Sequence, residues 1–169
     1  MRPLSTIIFL ALTLCWTPPS QAAVKADDLL GQWYTEDDDP KVVVTKENGK
    51  YTGKIIWLKE PVYGKDEKDT GKPKRDKENP NKKLRKRPIL GLIVLKGFKF
   101  DSKDQEWNDG TIYDPEKGKT YKCVIKFEND SKVHKGKKLY VRGYIGIPTL
   151  GRTTYWTYVP EKELEEIKD

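Results

Sequence analysis

At 169 residues the chain fits a single domain and leaves little room for a second. After the N-terminal stretch no apolar run is long enough to cross a bilayer as a helix, which excludes a helical membrane protein. The formal net charge of +7 belongs mostly to one segment: Lys59–Arg87 holds twelve basic against six acidic residues, a local +6 that leaves +1 for the rest.

The first residues read as an export signal. Arg2 supplies a short positive region, Ile7–Trp16 an apolar run, and Ser20-Gln21-Ala22 the small residues a signal peptidase reads, with cleavage expected after Ala22 or Ala23. Residues 1–23 are thus a signal peptide and 24–169 the mature domain, expected in the periplasm or secreted. Leu12-Thr13-Leu14-Cys15 offers a lipoprotein alternative through Cys15, against which Leu14 is too large for the position before the cysteine. Once Cys15 is removed Cys123 stands alone, so no intramolecular disulfide can form, and its place on an apolar strand face reads as a small buried hydrophobe.

Ala26–Leu30 is expected to form a helical turn stopped by Gly31, after which Gly31-Gln32-Trp33-Tyr34 opens the first strand. The turn Asp37-Asp38-Asp39-Pro40 leads to strand Lys41–Glu47, and Asn48-Gly49 is a strong hairpin signal before strand Lys50–Lys59. Residues 60–88 form a long basic loop with almost nothing to bury, which points to a functional or partly disordered connection. Near its end Asn79 suits an N-cap, Pro80 a first helical position and Pro88 a stop. Lys82 with Lys86, and Lys83 with Arg87, would place like charges at helical spacing and cost about 0.2–0.5 kcal/mol per pair. Such a turn needs an anion or a packed scaffold to hold it.

Ile89–Phe100 reads as a long strand bent at Gly91 and Gly97, and Glu106–Trp107 with Gly110–Tyr113 as a short pair around a turn at Asn108-Asp109-Gly110. Asp114–Gly118 turns into a closing meander of strands Thr120–Phe127, Lys138–Ile145 and Arg152–Val159. In the first of these Tyr121, Cys123, Ile125 and Phe127 share one face; in the second both faces carry bulky residues; in the third Arg152, Thr154, Trp156 and Tyr158 alternate with Thr153, Tyr155, Thr157 and Val159. Glu161–Asp169 is expected to be a short charged helix. The fold class that follows is all-β: a single antiparallel up-and-down barrel of about eight or nine strands with short terminal helices.

Catalytic and metal motifs are weak. Gly118-Lys119-Thr120 lacks the glycine five positions earlier, where Tyr113 stands, and precedes a strand, so it is not a phosphate loop. Asp66–Gly71 puts Lys68 and Thr70 at calcium-ligand positions and has no closing glutamate, and Asp37–Asp39 has no second acidic cluster to join. His134, the only histidine, falls in a lysine-rich hairpin loop. No cofactor is called for. A carboxylate hydrolase would need Asp114, Tyr113 and Arg142 to converge in one cleft.

Binding readings are better supplied. Trp57, Tyr113, Arg142, Tyr144 and Trp156 are the pocket candidates, polar-aromatic side chains for a lumen that holds a small, partly apolar ligand or is filled by its own residues. Trp33 and Arg152 are expected to meet where the first and last strands close the barrel, the guanidinium stacked on the indole for ~0.5–2 kcal/mol. Lys82, Lys83, Arg85, Lys86 and Arg87 are the anion-binding candidates, suited to an anionic envelope lipid or polymer. Nucleic acid is disfavoured, since the loop offers only Tyr63 for stacking.

Several strings together resemble the DUF2147 family of small exported bacterial proteins: Gly31-Gln32-Trp33, Gly53-Lys54-Ile55-Ile56-Trp57-Leu58, Asp76 with Asn79-Pro80, Leu84-Arg85-Lys86-Arg87-Pro88-Ile89-Leu90-Gly91, Trp107 to Pro115, Gly118-Lys119-Thr120-Tyr121, Val141 to Gly146, and Leu150-Gly151-Arg152-Thr153 with Trp156. The resemblance covers nearly the whole mature chain. It implies a lipocalin-like, calycin-type barrel and brings no catalytic site with it. The loop here looks longer and richer in lysine than the family pattern, so a charge-based role is not implied by the resemblance. Two functions are therefore expected as alternatives: an exported, non-enzymatic binder of a small ligand, and an envelope-interaction protein working through its basic loop.

Overall fold

The computed structural model describes residues 23–36, 39–128 and 138–160. The expected signal peptide, Asp37 and Asp38, His134 and the expected C-terminal helix lie outside the described residues.

Eight strands close into one antiparallel barrel in sequence order: β1 (Gly31–Tyr34), β2 (Lys41–Glu47), β3 (Lys50–Trp57), β4 (Ile93–Asp101), β5 (Glu106–Asp114), β6 (Lys119–Phe127), β7 (Lys138–Tyr144) and β8 (Arg152–Tyr158). Each neighbour in the chain is a neighbour in the sheet, so hairpin connections suffice and no edge strand is left unpaired. The closing seam is the shortest: β1 and β8 pair only at Trp33 with Tyr158 and Tyr34 with Thr157.

One end of the barrel is sealed by its own side chains. Ala26–Leu29 forms a 3-10 turn beneath the strands; the Trp33 indole N–H donates to the Leu29 carbonyl at 2.9 Å and the Trp107 indole N–H to the Ala26 carbonyl at 3.0 Å. Asp27 in the same turn accepts from the Tyr51 hydroxyl and the Lys46 ammonium, both at 2.7 Å, and the Lys46 hydrogen bond leads in holding its carboxyl below the usual range. Around the two indoles, Tyr158 stands edge-on to Trp33 at 5.2 Å, and Phe100 and Phe127 pack on Trp107 at 5.1 and 5.7 Å. Such aromatic contacts contribute about 0.5–1.5 kcal/mol each beyond burial, so they add to the stability of this plug. Gly31 has φ of +121° and its missing Cβ leaves room for the Tyr158 ring, 2.8 Å from where a Cβ would stand.

Four expectations are corrected, two in the strands and two in the long connection. Glu106–Asp114 is one strand, not a pair around a turn: Asn108 and Asp109 form a bulge that shifts the β5–β6 register between Trp107 and Gly110, and Asp109 takes φ of 59°. The strand expected from Ile89 begins at Ile93, because Gly91 at φ of +87° and the Leu92 to Ile89 backbone bond make a turn first. The 60–88 connection is neither structureless nor empty of buried groups. Its two limbs meet at the bridges Val62 with Pro73 and Arg75 with Pro88, and it buries Asp76 and Asn79. The helical turn near its end is a 3-10 turn of three residues, Lys82–Leu84, capped by Asn81 and not by Asn79. A turn that short never brings Lys82 over Lys86 through an α-helical repeat, so the anticipated repulsion has no scaffold.

The bulge in β5 sets a test of core packing. A Cβ on Gly110 would overlap the buried Phe98 ring, so Gly110→Ala is expected to cost about 1–3 kcal/mol through overpacking. A urea midpoint unchanged in the variant would show that the ring has room to give.

Candidate functional site

The end opposite the plug is open. The connections β1–β2, β3–β4, β5–β6 and β7–β8 surround a cavity of about 710 Å³, within the range of small-molecule sites. Its floor is apolar, made by Val42, Ile55, Val94, Ile112, Val141 and Trp156. The strand pleat places these residues: Leu95 pairs with Ile112 and Ile112 with Tyr121, and Cys123 and Ile125 continue the same inward face of β6. The Trp156 indole N–H is satisfied locally by the Thr154 hydroxyl at 3.2 Å.

The rim is polar, and its charges are mostly paired off. Arg152 bonds Glu36 at 3.0 Å, Lys74 bonds Glu60 at 3.1 Å and Lys117 bonds Asp114 at 2.9 Å. The Arg152 pair joins the β1–β2 connection to β8, spanning the seam above the point where backbone pairing stops. Among the described residues no group of His, Cys, Asp and Glu could hold a metal ion. Cys123 is buried, and burial pushes its thiol well up, away from reactivity.

Beside the rim lies a buried polar cluster. Asp76, fully buried, accepts from the Tyr113 hydroxyl at 2.6 Å, the Asn79 amide at 2.7 Å and Arg87 through Nε and Nη2, each at 2.8 Å. Asn79 also donates to the Tyr113 oxygen at 3.0 Å, and its carbonyl accepts from Arg85 Nε at 2.7 Å. A buried carboxylate is tolerated only when paired and hydrogen-bonded, and here four donors meet that demand. The cluster fastens the long connection to β5. Close packing does the rest, since a Cβ on Gly118 in the β5–β6 turn would overlap the Glu78 carbonyl.

Of the pocket candidates, Tyr113, Tyr144 and Trp156 line the cavity while Trp57 and Arg142 do not. Trp57 is displaced by the bulge that follows Ile55: Lys41 pairs with Trp57 but Val42 with Ile55, so the extra residue Ile56 reverses the alternation. Trp57 therefore shares the outer face with Tyr34, 6.1 Å away and edge-on, and with Lys41, whose ammonium lies 4.5 Å from the Tyr34 ring and 5.5 Å from the Trp57 ring. Arg142 lies on the outer face of β7, opposite Val141 in parity. Its guanidinium donates to the carbonyls of Pro148 at 2.6 Å and Thr149 at 3.0 Å and to the Thr153 hydroxyl at 2.7 Å, fixing the 3-10 turn Pro148–Leu150.

Trp33 and Arg152 do not meet. Trp33 is in the plug, level with Tyr158, and Arg152 lies six residues away along β8 at the open rim, about 20 Å at the rise of a strand. Asp114, Tyr113 and Arg142 do not converge either: Asp114 holds Lys117, the Tyr113 hydroxyl is bonded to Asp76, and Arg142 serves the outer turn. In the basic loop Arg85 bonds the Asn79 carbonyl and Arg87 pairs with Asp76, while Lys82, Lys83 and Lys86 are exposed, as is Arg85. Asp76 escaped residue-by-residue reading because a lone acid in a lysine-rich run looks solvated; the only signal was its place ahead of Asn79-Pro80.

Comparisons with known proteins agree with the barrel fold. A family model described as "Uncharacterized protein conserved in bacteria (DUF2147)" matches residues 31–158. The solved structure of protein HP1028 from Helicobacter pylori, described as belonging to the lipocalin family, is similar with a TM-score of 0.66 and 25% identity, over 83% of this chain and 89% of that one. Comparison with curated proteins gave no match.

The buried cluster predicts an alkaline limit to stability. Burial, helped by the Asp76 hydrogen bond, raises the Tyr113 hydroxyl to about 12. A raised pKa contributes stability that is complete below the unfolded value near 10 and is lost as pH climbs toward 12. Denaturant unfolding of the wild type should therefore weaken across that window, and Tyr113→Phe, already less stable by about 1.5–3 kcal/mol for the lost bond to a charged group, should show a smaller decline there. Parallel curves for the two proteins would remove Tyr113 as the titrating group.

Proposed function

The chain belongs to the DUF2147 family and has a lipocalin-like barrel, and on that premise we propose that it is an exported, non-enzymatic protein that binds a small, partly apolar ligand in the open end of the barrel. The observation that carries this reading is the cavity of about 710 Å³ with an apolar floor and a polar rim. Export rests on the N-terminal Arg2, Ile7–Trp16 and Ser20-Gln21-Ala22 pattern.

Magnitudes favour affinity from the floor and not from the rim. Apolar burial contributes roughly 25 cal/mol per Å², whereas an exposed ion pair is worth about 0–1 kcal/mol. Exchanging the Glu36 carboxylate on Arg152 for one from a ligand is therefore nearly neutral. The lining accepts a ligand whose bulk is apolar and whose polar end sits among paired charges and the phenols of Tyr121 and Tyr144. A non-enzymatic role is supported by the placement of the strongest acid–base candidates: the buried Asp76 has its oxygens occupied by donors, and Tyr113, Asp114 and Arg142 serve three separate sites.

Titration with an environment-sensitive apolar dye should give saturable fluorescence with the wild-type protein. Ile112→Trp, which fills the floor, should lower the affinity by about tenfold or more while leaving the barrel folded. Dye uptake that never saturates, or that Ile112→Trp leaves intact, would overturn the reading.

A further inference from the structure

Exposed apolar surface on this barrel is concentrated at one end. Of the eight large hydrophobic side chains left exposed among the described residues, six belong to the β3–β4 and β7–β8 connections around the cavity; only Ile93 and Tyr155 lie on the outer wall. The β7–β8 lip is the most exposed, with Ile145, Ile147 and Leu150 at 68%, 57% and 79%. Its conformation is held, since Arg142 ties the Pro148–Leu150 turn to the wall through two carbonyls and Thr153. Ile145 and Leu150 also line the cavity, so on the β7–β8 side the exposed lip adjoins the cavity wall.

The same end carries cations with no carboxylate partner. Lys82, Lys83 and Lys86 are exposed in the β3–β4 connection and form no ion pair among the described residues, while beside them Arg85, also exposed, bonds the Asn79 carbonyl and Arg87 pairs with Asp76. Leu84, exposed between Lys83 and Arg85, adds an apolar side chain to that basic turn. Aliphatic tips beside unpaired lysines suit the boundary of an anionic membrane, where the tips enter the acyl region and the ammoniums meet headgroups.

We propose that the open end of the barrel docks on an anionic lipid bilayer, with the β7–β8 lip inserted and Lys82, Lys83 and Lys86 over the headgroups. The charge of the loop selects a bilayer over an apolar protein partner or a second copy, which would leave three like charges facing it unpaired. The lip's place beside the cavity gives docking a purpose, delivery of an apolar ligand between membrane and barrel; that purpose rests on the ligand reading, whereas the docking geometry does not.

Co-sedimentation of the purified protein with vesicles tests this. The protein should partition onto phosphatidylglycerol-containing vesicles, much less onto pure phosphatidylcholine, and be released by high salt. Lys82→Ala/Lys83→Ala/Lys86→Ala should weaken partitioning roughly a hundredfold, each lysine near the surface counting for about a factor of five. Ile147→Ser, at an exposed position outside the cavity lining, should weaken it about tenfold. Both variants should take up dye in free solution like the wild type. Absence of partitioning, equal partitioning onto neutral vesicles, or variants that partition unchanged would overturn the proposal, as would self-association abolished by Ile147→Ser without any vesicle binding. Vesicle binding by a protein that takes up no dye would support docking and overturn the ligand reading alone.

Discussion

Two indole N–H groups ending on one short turn decide what kind of barrel this is. Trp33 and Trp107 come from strands on different sides of the wall, and both donate to carbonyls of Ala26–Leu29. A 3-10 turn leaves the carbonyl of its last residue, Leu29, without an internal partner, the Ala26 carbonyl at its start has a second lone pair to offer, and a buried indole must place its single donor. Each requirement meets the other, and the aromatic rings fill the space around them. With one end closed in this way, the cavity lies at the other end.

The open end is built by connections, and connections need internal anchors when they are long. The β3–β4 connection has one in Asp76, whose burial brings Asn79, Arg87 and Tyr113 to the same point. Removing any donor would leave part of a charge uncompensated in a dry place, which gives the loop a preferred conformation despite its excess of lysine. The same arrangement divides its cations into two kinds. Arg85 and Arg87 hold the loop; Lys82, Lys83 and Lys86 remain for solvent or a partner. Arginine suits the first task because its planar fork can satisfy several acceptors at once.

Pattern reading located the strands well and failed in an instructive way on side-chain direction. The hairpin at Asn48-Gly49, the meander from Lys119 to Tyr158 and the inward row of β6 were all legible, because period-two alternation and turn residues act locally. Trp57 does not reach the lumen, since the extra residue Ile56 reverses the alternation after Ile55 and turns the indole to the outer face. Asn108-Asp109-Gly110 looked like a turn since turns and bulges both use positive φ, and only the β6 partner distinguishes them. The expected Trp33–Arg152 contact failed for a reason of length: the two residues belong to the same seam but to opposite ends of it.

Local patterning along the chain was enough for the architecture: an all-β barrel of consecutive antiparallel strands with a basic connection near its middle. Those properties follow from short-range rules of alternation and turn chemistry, which each segment carries independently. The assembled barrel was needed to see which face each residue takes after a bulge, that Asp76 is buried, and that Arg142 supports a lip outside the barrel. It also places exposed apolar tips, exposed lysines and the cavity among connections at one end of the barrel. These depend on register between strands and on which distant groups meet in space, and a one-residue change in register is invisible in composition yet turns a side chain from lumen to surface.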